Sequence, residues 1–446
     1  MLHGPLAGKI VMFSIPIAIS AFLQQMFNAA DTAVVGRFAG SEPLAAVGAN
    51  AFIISLMVIL FMGMATGTNV VVAGFHGQRD DEAVSKAVHT SVTLALLIGI
   101  VLAVIGMIIG PWAHAAIGTG EAGSTLRAQA VLYFRIYFLG MPFIMLYNFE
   151  SAILRSKGDT RSPLIILIIS GVLNILLNLL LVVVFHMTVE GVAIATLVSN
   201  VFSSMALLYL LCRERDAFHI SMKKLKIHRR MLKNIIRIGL PAGIQGSMFS
   251  LANVLLQSSI NALGPVVIAG STVGMNAEVF AYDVIQGFSQ AATTFVGQNY
   301  AVNNIDRCRR INRICLILGT AGTFALAFVM TIFRTPFVSV FTKDPAVIEV
   351  ACQRVLYVAM FQCVNGAAEL LSGSMRGMRR SLLPAMISIF MICGVRLIWL
   401  FVFYPSNQTY IRLIFAYPLS WFCYVGAMAI AYLFTMKQVR SEQHSL

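Results

Sequence analysis

Residues 10–36 read IVMFSIPIAISAFLQQMFNAADTAVVG, and Asp31 is the only charge among them. A run this long and this apolar exceeds the roughly 20 residues that a helix needs to cross a hydrocarbon core about 30 Å thick. No water reaches backbone N–H and C=O groups inside such a core, so a spanning segment closes its hydrogen bonds within itself as a helix. The stretch therefore predicts a retained transmembrane helix that carries a carboxylate. A cleaved signal peptide is not expected, because neither a small-residue cleavage site nor a polar mature domain follows it.

The rest of the chain repeats the pattern. Of its 446 residues, 58% are hydrophobic and 11% charged, against about 25% charged in a soluble domain. Mean hydropathy is +0.83. The apolar runs are continuous rather than alternating, which excludes a β-barrel. Spans are predicted at 10–36, 44–74, 84–110, 126–153, 162–184 and 189–212, then at 232–262, 267–299, 308–333, 346–373, 381–404 and 410–436. The expected fold class is an all-α polytopic membrane protein of twelve transmembrane helices, in a multi-pass arrangement of the bacterial cytoplasmic-membrane type.

Charge orients these spans. One set of loops holds Lys9, Arg79, Lys86, Arg155, Lys157 and Arg161, the basic run between Arg213 and Arg237, and Arg307, Arg309, Arg310 and Arg313. Arg376, Arg379, Arg380, Lys437 and Arg440 complete that set. The opposite loops hold only Arg37, Arg127, Arg334 and Lys343. Basic residues gather on the cytoplasmic side, so both termini are expected there. The net charge of +14 thus reads as topology, and no nucleic-acid partner is expected. The seven Cys are scattered without a CxxC pair and read as small apolar fillers.

The chain divides into matching halves. CRERDAFHISMKKLKIHRR, residues 212–230, is the one long polar linker. An offset of 225 lays IPIAIS at Pro16 over LPAGIQ at Pro241, and Asn28 over Asn253. An offset of 219 carries Arg135, Glu150, Gly158 and Ser162 onto Arg354, Glu369, Gly377 and Ser381. Two pseudo-symmetric six-helix lobes are expected, at 1–212 and 231–446, joined by a cytoplasmic linker at 213–230. Each begins on the same side, so the repeats are parallel, an arrangement that encloses a central site in transporters.

Several motifs resemble those of the multidrug and toxic compound extrusion (MATE) family. They are NAADTAVVGR (28–37) followed by LAAVGAN (44–50), LRSKGDT (154–160) with its echo MRGMRR (375–380), and TTFVGQNYA (293–301). The resemblance covers nearly the whole chain. It implies a V-shaped twelve-helix fold and export of organic cations and other amphiphiles, driven by inward flow of H⁺ or Na⁺.

Charges inside the bilayer cost about 2.5–3.5 kcal/mol each on insertion scales and mark functional sites by default. Asp31 is the first of them, and Asn28 lies one turn before it on the same face. Taking a carboxylate out of water favours its protonated form, so Asp31 is the expected ion carrier. Pro16 weakens the helix below it and offers an element that could bend in response. Asn174 and Asn178 share a face of span 5, and Thr196 lies in span 6. By the resemblance, Asp31, Asn174 and Thr196 match a cation-coupling set. Asn178 stands where many members carry a second acid. A carboxamide oxygen can serve Na⁺ but cannot hold a proton, so Na⁺ is an expected ligand of Asp31, Asn174, Asn178 and Thr196, and proton traffic would rest on Asp31.

Glu278, Tyr282 and Asp283 lie in span 8, where the first half offers apolar Ile53 and Val58 instead. They are expected to attract a cationic substrate or carry a second ion, unless Glu278 pairs with an intramembrane Arg such as Arg396. Arg135, Glu150, Arg354 and Glu369 repeat in both halves and are expected, with Arg396, to form structural charge contacts. Asn365 occupies a place where one branch of the family carries a cation-linked acid. Trp112, Tyr404 and Tyr410 read as interfacial anchors, and the 23 Met and 30 Phe as lipid-facing filler or an adaptable cavity lining.

The expected function is therefore secondary antiport of amphiphilic or cationic small molecules, by a monomer embedded in lipid, without a cofactor. An enzyme is not expected: HExxH and GxSxG are absent, and nothing nameable pairs with His89. A flippase for lipid-linked saccharides is the alternative. It would be expected to line its cavity with Arg for a pyrophosphate, whereas acids slightly outnumber bases within the spans.

Overall fold

The computed structural model describes residues 1–116, 119 and 124–444, and among these it contains helices and no strand. The first half runs α1 (Leu6–Val34), α2 (Ser41–Gln78), α3 (Asp81–Ala116), α4 (Thr125–Leu139), α5 (Met141–Lys157), α6 (Arg161–Asn178) and α7 (Val189–Arg213). The second half runs α8 (Arg229–Asn261), α9 (Pro265–Ala301), α10 (Ile305–Ile332), α11 (Arg334–Ser339), α12 (Pro345–Tyr357) and α13 (Gln362–Gly377). It ends with α14 (Leu382–Ser388), α15 (Val395–Ile398), α16 (Tyr410–Ile414) and α17 (Ala416–His444). Wider i→i+5 turns extend α1 at Val35–Ala39 and α6 at Leu179–Val184.

Among the described residues, nine helices are long and apolar enough to cross a membrane, or ten if α4 and α5 form one bent span. At 33 and 37 residues, α8 and α9 are long enough. They fall outside that set on composition, because Gly, Ser, Asn and Gln recur along them.

Two spans expected to be continuous are broken. α4 and α5 meet at Gly140 with a 45° bend. α12 and α13 are separated by a tight turn at Ala359–Phe361, and the 219 offset carries Gly140 onto Ala359. The break thus belongs to the repeat. Pro142, just after the first break, lacks the N–H an uninterrupted helix would use. It sits so close to α3 that a Cβ on Gly99 would come within 2.3 Å of its Cα.

The chain forms two compact units, one of residues 19–240 and one of residues 1–18 with 241–446. Their boundaries fall inside α1 and α8, whereas the composition divides the chain at the 213–230 linker. Packing accounts for the difference. Ile10, Phe13 and Ile17 of α1 share a core with Ala291, Phe295 and Val296 of α9. Ile235 and Ile238 of α8 share a core with Met64 and Val71 of α2. Gly67 and Gly239 permit that second approach: a Cβ on Gly67 would lie 2.4 Å from the Ile235 carbonyl oxygen.

The polar linker is docked rather than free. The Ser221 N–H donates to His89 Nε2 at 3.1 Å, and the His228 N–H donates to Thr90 Oγ1 at 3.1 Å. His89, expected to lack a partner, therefore holds the linker. Lys157 Nζ donates to Glu214 at 2.7 Å and lies 2.8 Å from Asp216. Burial alone would raise the Asp216 carboxyl, but the Lys157 ammonium and the Phe218 N–H outweigh it and hold it below its usual range. The contact is thus complete above the ordinary carboxylate range and is lost as pH falls through the depressed folded value. Asp216→Asn is expected to speed limited proteolysis of the linker at pH 7 by roughly two- to fivefold, as for a partly exposed pair. Rates for the two proteins should converge at strongly acid pH. Equal rates at pH 7 would refute this contact.

Candidate ion site in the first half

Asp31 lies on α1 one turn before the wide turn at Val35–Ala39, and Asn178 ends α6 just before the wide turn at Leu179–Val184. Such turns inside helices recur at functional sites, because the extra residue frees backbone groups and re-aims side chains. The two wide turns touch each other, and beside them Asn178 Nδ2 donates to Asp31 Oδ1 at 2.5 Å. The same Nδ2 also donates to Asn174 Oδ1, one turn back, at 3.2 Å. Asn174 Nδ2 lies 3.5 Å from Thr196 Oγ1, whose hydroxyl in turn lies 3.5 Å from Asp31 Oδ2. The one Thr196 proton can go to the Val192 carbonyl at 3.0 Å or to Asp31 Oδ2, so the hydroxyl can serve the site as a donor or, when turned to Val192, with its lone pairs.

Asn174 and Asn178 are buried, Asn178 completely, while Asp31 and Thr196 are half-buried. The Oδ1 of Asn178 accepts no hydrogen bond among the described residues. A buried carbonyl without a partner carries a desolvation cost, and here it stands beside a carboxylate, a second carboxamide and a hydroxyl. That is an oxygen-rich cluster on three helices. Tyr133 and Tyr137 of α4 are within electrostatic reach of Asp31.

Of the expected set, Asp31, Asn174, Asn178 and Thr196 come together. Asn28 does not: its side chain is exposed, and its backbone carbonyl accepts from Thr32 at 2.9 Å. Close packing near the cluster depends on Gly171, one turn before Asn174, where a Cβ would fall 2.0 Å from the Phe27 ring. Gly171→Leu should displace α1 from α6 and reduce transport at least tenfold, as a small misplacement of reacting groups does. Gly394→Ala, which meets nothing within 4 Å, is the control, and equal activity of the two variants would contradict this reading.

The acids expected to serve the second half are arranged otherwise. Glu278 is buried in a two-point ion pair with Arg354, whose Nε donates to Oε1 and whose Nη2 donates to Oε2 at 3.2 Å. Arg354 Nη1 also reaches Ser271 Oγ at 2.5 Å. The partner is therefore Arg354 and not Arg396, because α12 lies along α9 so closely that a Cβ on Gly274 would meet the Arg354 Cβ at 2.8 Å. A carboxylate saturated in this way is a poor cation lure. Tyr282 is engaged with Gln286, whose Nε2 donates to its hydroxyl at 3.0 Å. Asp283 is buried, and its Oδ2 has no partner among the described residues.

Arg396 is held by Asn253 Oδ1 at 2.6 Å and Ser420 Oγ at 3.1 Å. Each half thus ties its first helix to its fifth span by one polar contact, Asp31–Asn178 in one and Asn253–Arg396 in the other. The charges are of opposite sign and lie on opposite partners.

The repeated acids have unlike surroundings, which corrects their expected common role. Glu369 lies 3.6 Å from Arg376 and accepts from Gln245 and Tyr424 at 3.1 and 3.0 Å. Glu150 is fully buried, with neither oxygen bonded among the described residues. Arg135 repeats Arg354 but not its ion pair, since apolar Ile53 stands where Glu278 would lie. Asn365 is buried with both polar side-chain atoms unpartnered among the described residues. The composition did not single out Gln245 and Tyr424, or the buried Asn50, whose Oδ1 lies 3.1 Å from His114 Nε2. Isolated polar residues at helical depth were their only sequence signal.

The sequence profile of the MatE family matches residues 16–180 and 241–402, two matches that begin 225 residues apart, the offset of the internal repeat. The chain is 27% identical over 431 residues to the Bacillus subtilis "Probable multidrug resistance protein YoeA", covering 95% of this chain and 91% of that one. It is 25% identical to the Thermotoga maritima "Probable multidrug resistance protein NorM", with 87% and 84% covered. Among solved structures, the outward-facing conformation of a multidrug resistance MATE family transporter of the MOP superfamily matches at TM-score 0.90. It shares 22% identity and covers 99% of this chain and 98% of that one. With both halves matched at the repeat's own spacing, the chain belongs to the MATE family of membrane transporters.

Proposed function

We propose that this protein exports amphiphilic or cationic small molecules across the bacterial cytoplasmic membrane in exchange for inward-moving H⁺ or Na⁺. In this reading it acts as a monomer with twelve spans and both termini in the cytoplasm. The names of its relatives support multidrug export, and the loop charges support the orientation. The observation that carries the coupling is the contact of Asp31 with Asn178 in an otherwise apolar segment.

The geometry suits an exchange. An ionised Asp31 can only accept, and Asn178 meets it with N–H. A protonated Asp31 donates instead, and a half-turn of the Asn178 amide would present its unpartnered Oδ1 as the acceptor. For Na⁺, the oxygens of Asp31, Asn174, Asn178 and Thr196 form a fitting donor set. Either ion removes the free charge of Asp31 and re-pairs α1 with α6, a local charge trigger on an element interrupted by wide turns. The ion can shift the conformational equilibrium only by its difference in affinity between states.

The test is ethidium or fluoroquinolone efflux from proteoliposomes under separately imposed proton and sodium gradients. Efflux driven by one gradient and not by a membrane potential alone is expected. Silence with every organic cation, together with movement of a lipid-linked saccharide, would replace this reading with the flippase.

A further inference from the structure

Within the unit of residues 19–240, a pocket of about 440 Å³ opens between the start of α3 and the start of α8. Its wall includes Asp80, Glu82, Lys86, His228, Arg229 and Arg230. The acids are already committed: Asp80 Oδ1 accepts the Ala83 N–H at 2.9 Å, and Glu82 pairs with Lys86 along α3. Arg229 and Arg230 are exposed, and among the described residues neither forms an ion pair. Against Asp80 and Glu82, the cations Lys86, Arg229 and Arg230 leave the pocket one positive charge in surplus, and the first-turn N–H groups of α8 add to it. His228, whose N–H is fixed by Thr90 Oγ1, pins this wall in place.

The surface leading away from the pocket identifies the anion. Along α8, Arg229, Lys233, Ile236 and Leu240 are all exposed and recur at helical spacing on one side. Arg229 and Lys233 lie at the end next to the pocket, Ile236 and Leu240 lie deeper in the span, and exposed Arg237 sits beside them further round the helix. A soluble phosphate has no use for that gradient, whereas a phospholipid has its charge and its chains in that order. Basic pockets beside spans on the cytoplasmic side hold anionic headgroups in this way. We propose that this pocket binds the phosphodiester headgroup of an anionic phospholipid of the cytoplasmic leaflet, with the acyl chain along Ile236 and Leu240. Lipid binding would then hold the docked linker, through Arg229 and Arg230, against α3.

The test uses the purified full-length protein in detergent, titrated with dioctanoyl phosphatidylglycerol, dioctanoyl phosphatidylcholine or inorganic phosphate, with binding read by native mass spectrometry and calorimetry. Saturable binding of phosphatidylglycerol is expected, with phosphatidylcholine and phosphate much weaker. The variant Arg229→Gln/Arg230→Gln should bind phosphatidylglycerol roughly 25-fold more weakly, since each basic residue near an anionic headgroup contributes about a fivefold factor. Its circular dichroism and melting should be unchanged, because both side chains are exposed. Ile236→Ser/Leu240→Ser should weaken phosphatidylglycerol and leave inorganic phosphate unaffected. Equal binding of the two lipids, phosphate binding as tightly as phosphatidylglycerol, or wild-type affinity in the double Gln variant would each overturn the proposal.

Discussion

Asp31→Asn is expected to reduce ion-driven efflux to the level of empty liposomes while the protein remains folded. The carboxamide is nearly isosteric with the carboxylate and still offers Oδ1 to Asn178 Nδ2, so the α1–α6 contact survives. What disappears is the charge and the exchangeable proton. A buried charge costs about 2.5–3.5 kcal/mol on insertion scales, so its removal should leave the melting temperature unchanged or higher. This separates loss of coupling from loss of fold. Asn178→Asp is the informative companion. It sets a second carboxylate about where Nδ2 now lies, 2.5 Å from Asp31, and like charges that close do not both ionise. That variant should retain proton-driven transport with an altered pH profile and lose any response to Na⁺ that relied on the carboxamide oxygen. Undiminished efflux by Asp31→Asn would remove Asp31 from the mechanism.

Asp31 was legible in the sequence because it violates its surroundings: a lone carboxylate in a lipid-length run needs a reason. Asn174, Asn178 and Thr196 were legible through helical spacing and the family pattern, and the structure joins them to it. Asn28 has the right spacing and the wrong direction. Two residues a turn apart share a face only approximately, and the packing of Phe27 against Gly171 turns α1 so that Asn28 points away. The breaks at Gly140 and Ala359 were present in the repeat, yet hydropathy is blind to a bend that keeps both flanks apolar. The linker read as solvated because it is polar. Its attachment depends on His89 and Thr90, which donate and accept across more than 130 residues, beyond any local pattern. A separation of 76 residues hid the partner of Glu278 in the same way. Arg135, Arg354 and Arg396 all lay within spans, and only the alignment of α12 with α9 selects Arg354.

That selection leads to the largest expected stability effect. Glu278 and Arg354 are both buried, and removing one partner strands the other as an unpaired charge, at a cost of about 3–5 kcal/mol. Arg354→Met and Glu278→Met should each lower the melting temperature in detergent strongly, and the double substitution should recover most of the loss, because the desolvation cost then vanishes with the charges. Arg354 and Arg396 lie with Cζ 5.2 and 4.6 Å from the centroid of the Tyr417 ring. Glu278, paired with Arg354, is also within electrostatic reach of Arg396, and the ring quadrupole with Asn253 and Ser420 stabilises that second guanidinium. Loss of Glu278 strands Arg354 and removes a favourable charge from the surroundings of Arg396, whereas loss of Arg354 leaves Glu278 within electrostatic reach of Arg396. Glu278→Met should consequently be the more damaging of the two. Transport discriminates the roles further. If Glu278 is a strut, the double variant should export a cationic substrate with nearly unchanged apparent affinity once its stability is restored. If Glu278 is a substrate anchor, affinity for cations should fall in the double variant while neutral amphiphiles are exported as before. The two-point contact with Arg354 favours the strut, and it leaves Asp283, whose Oδ2 has no partner among the described residues, as the less committed of the two α9 acids.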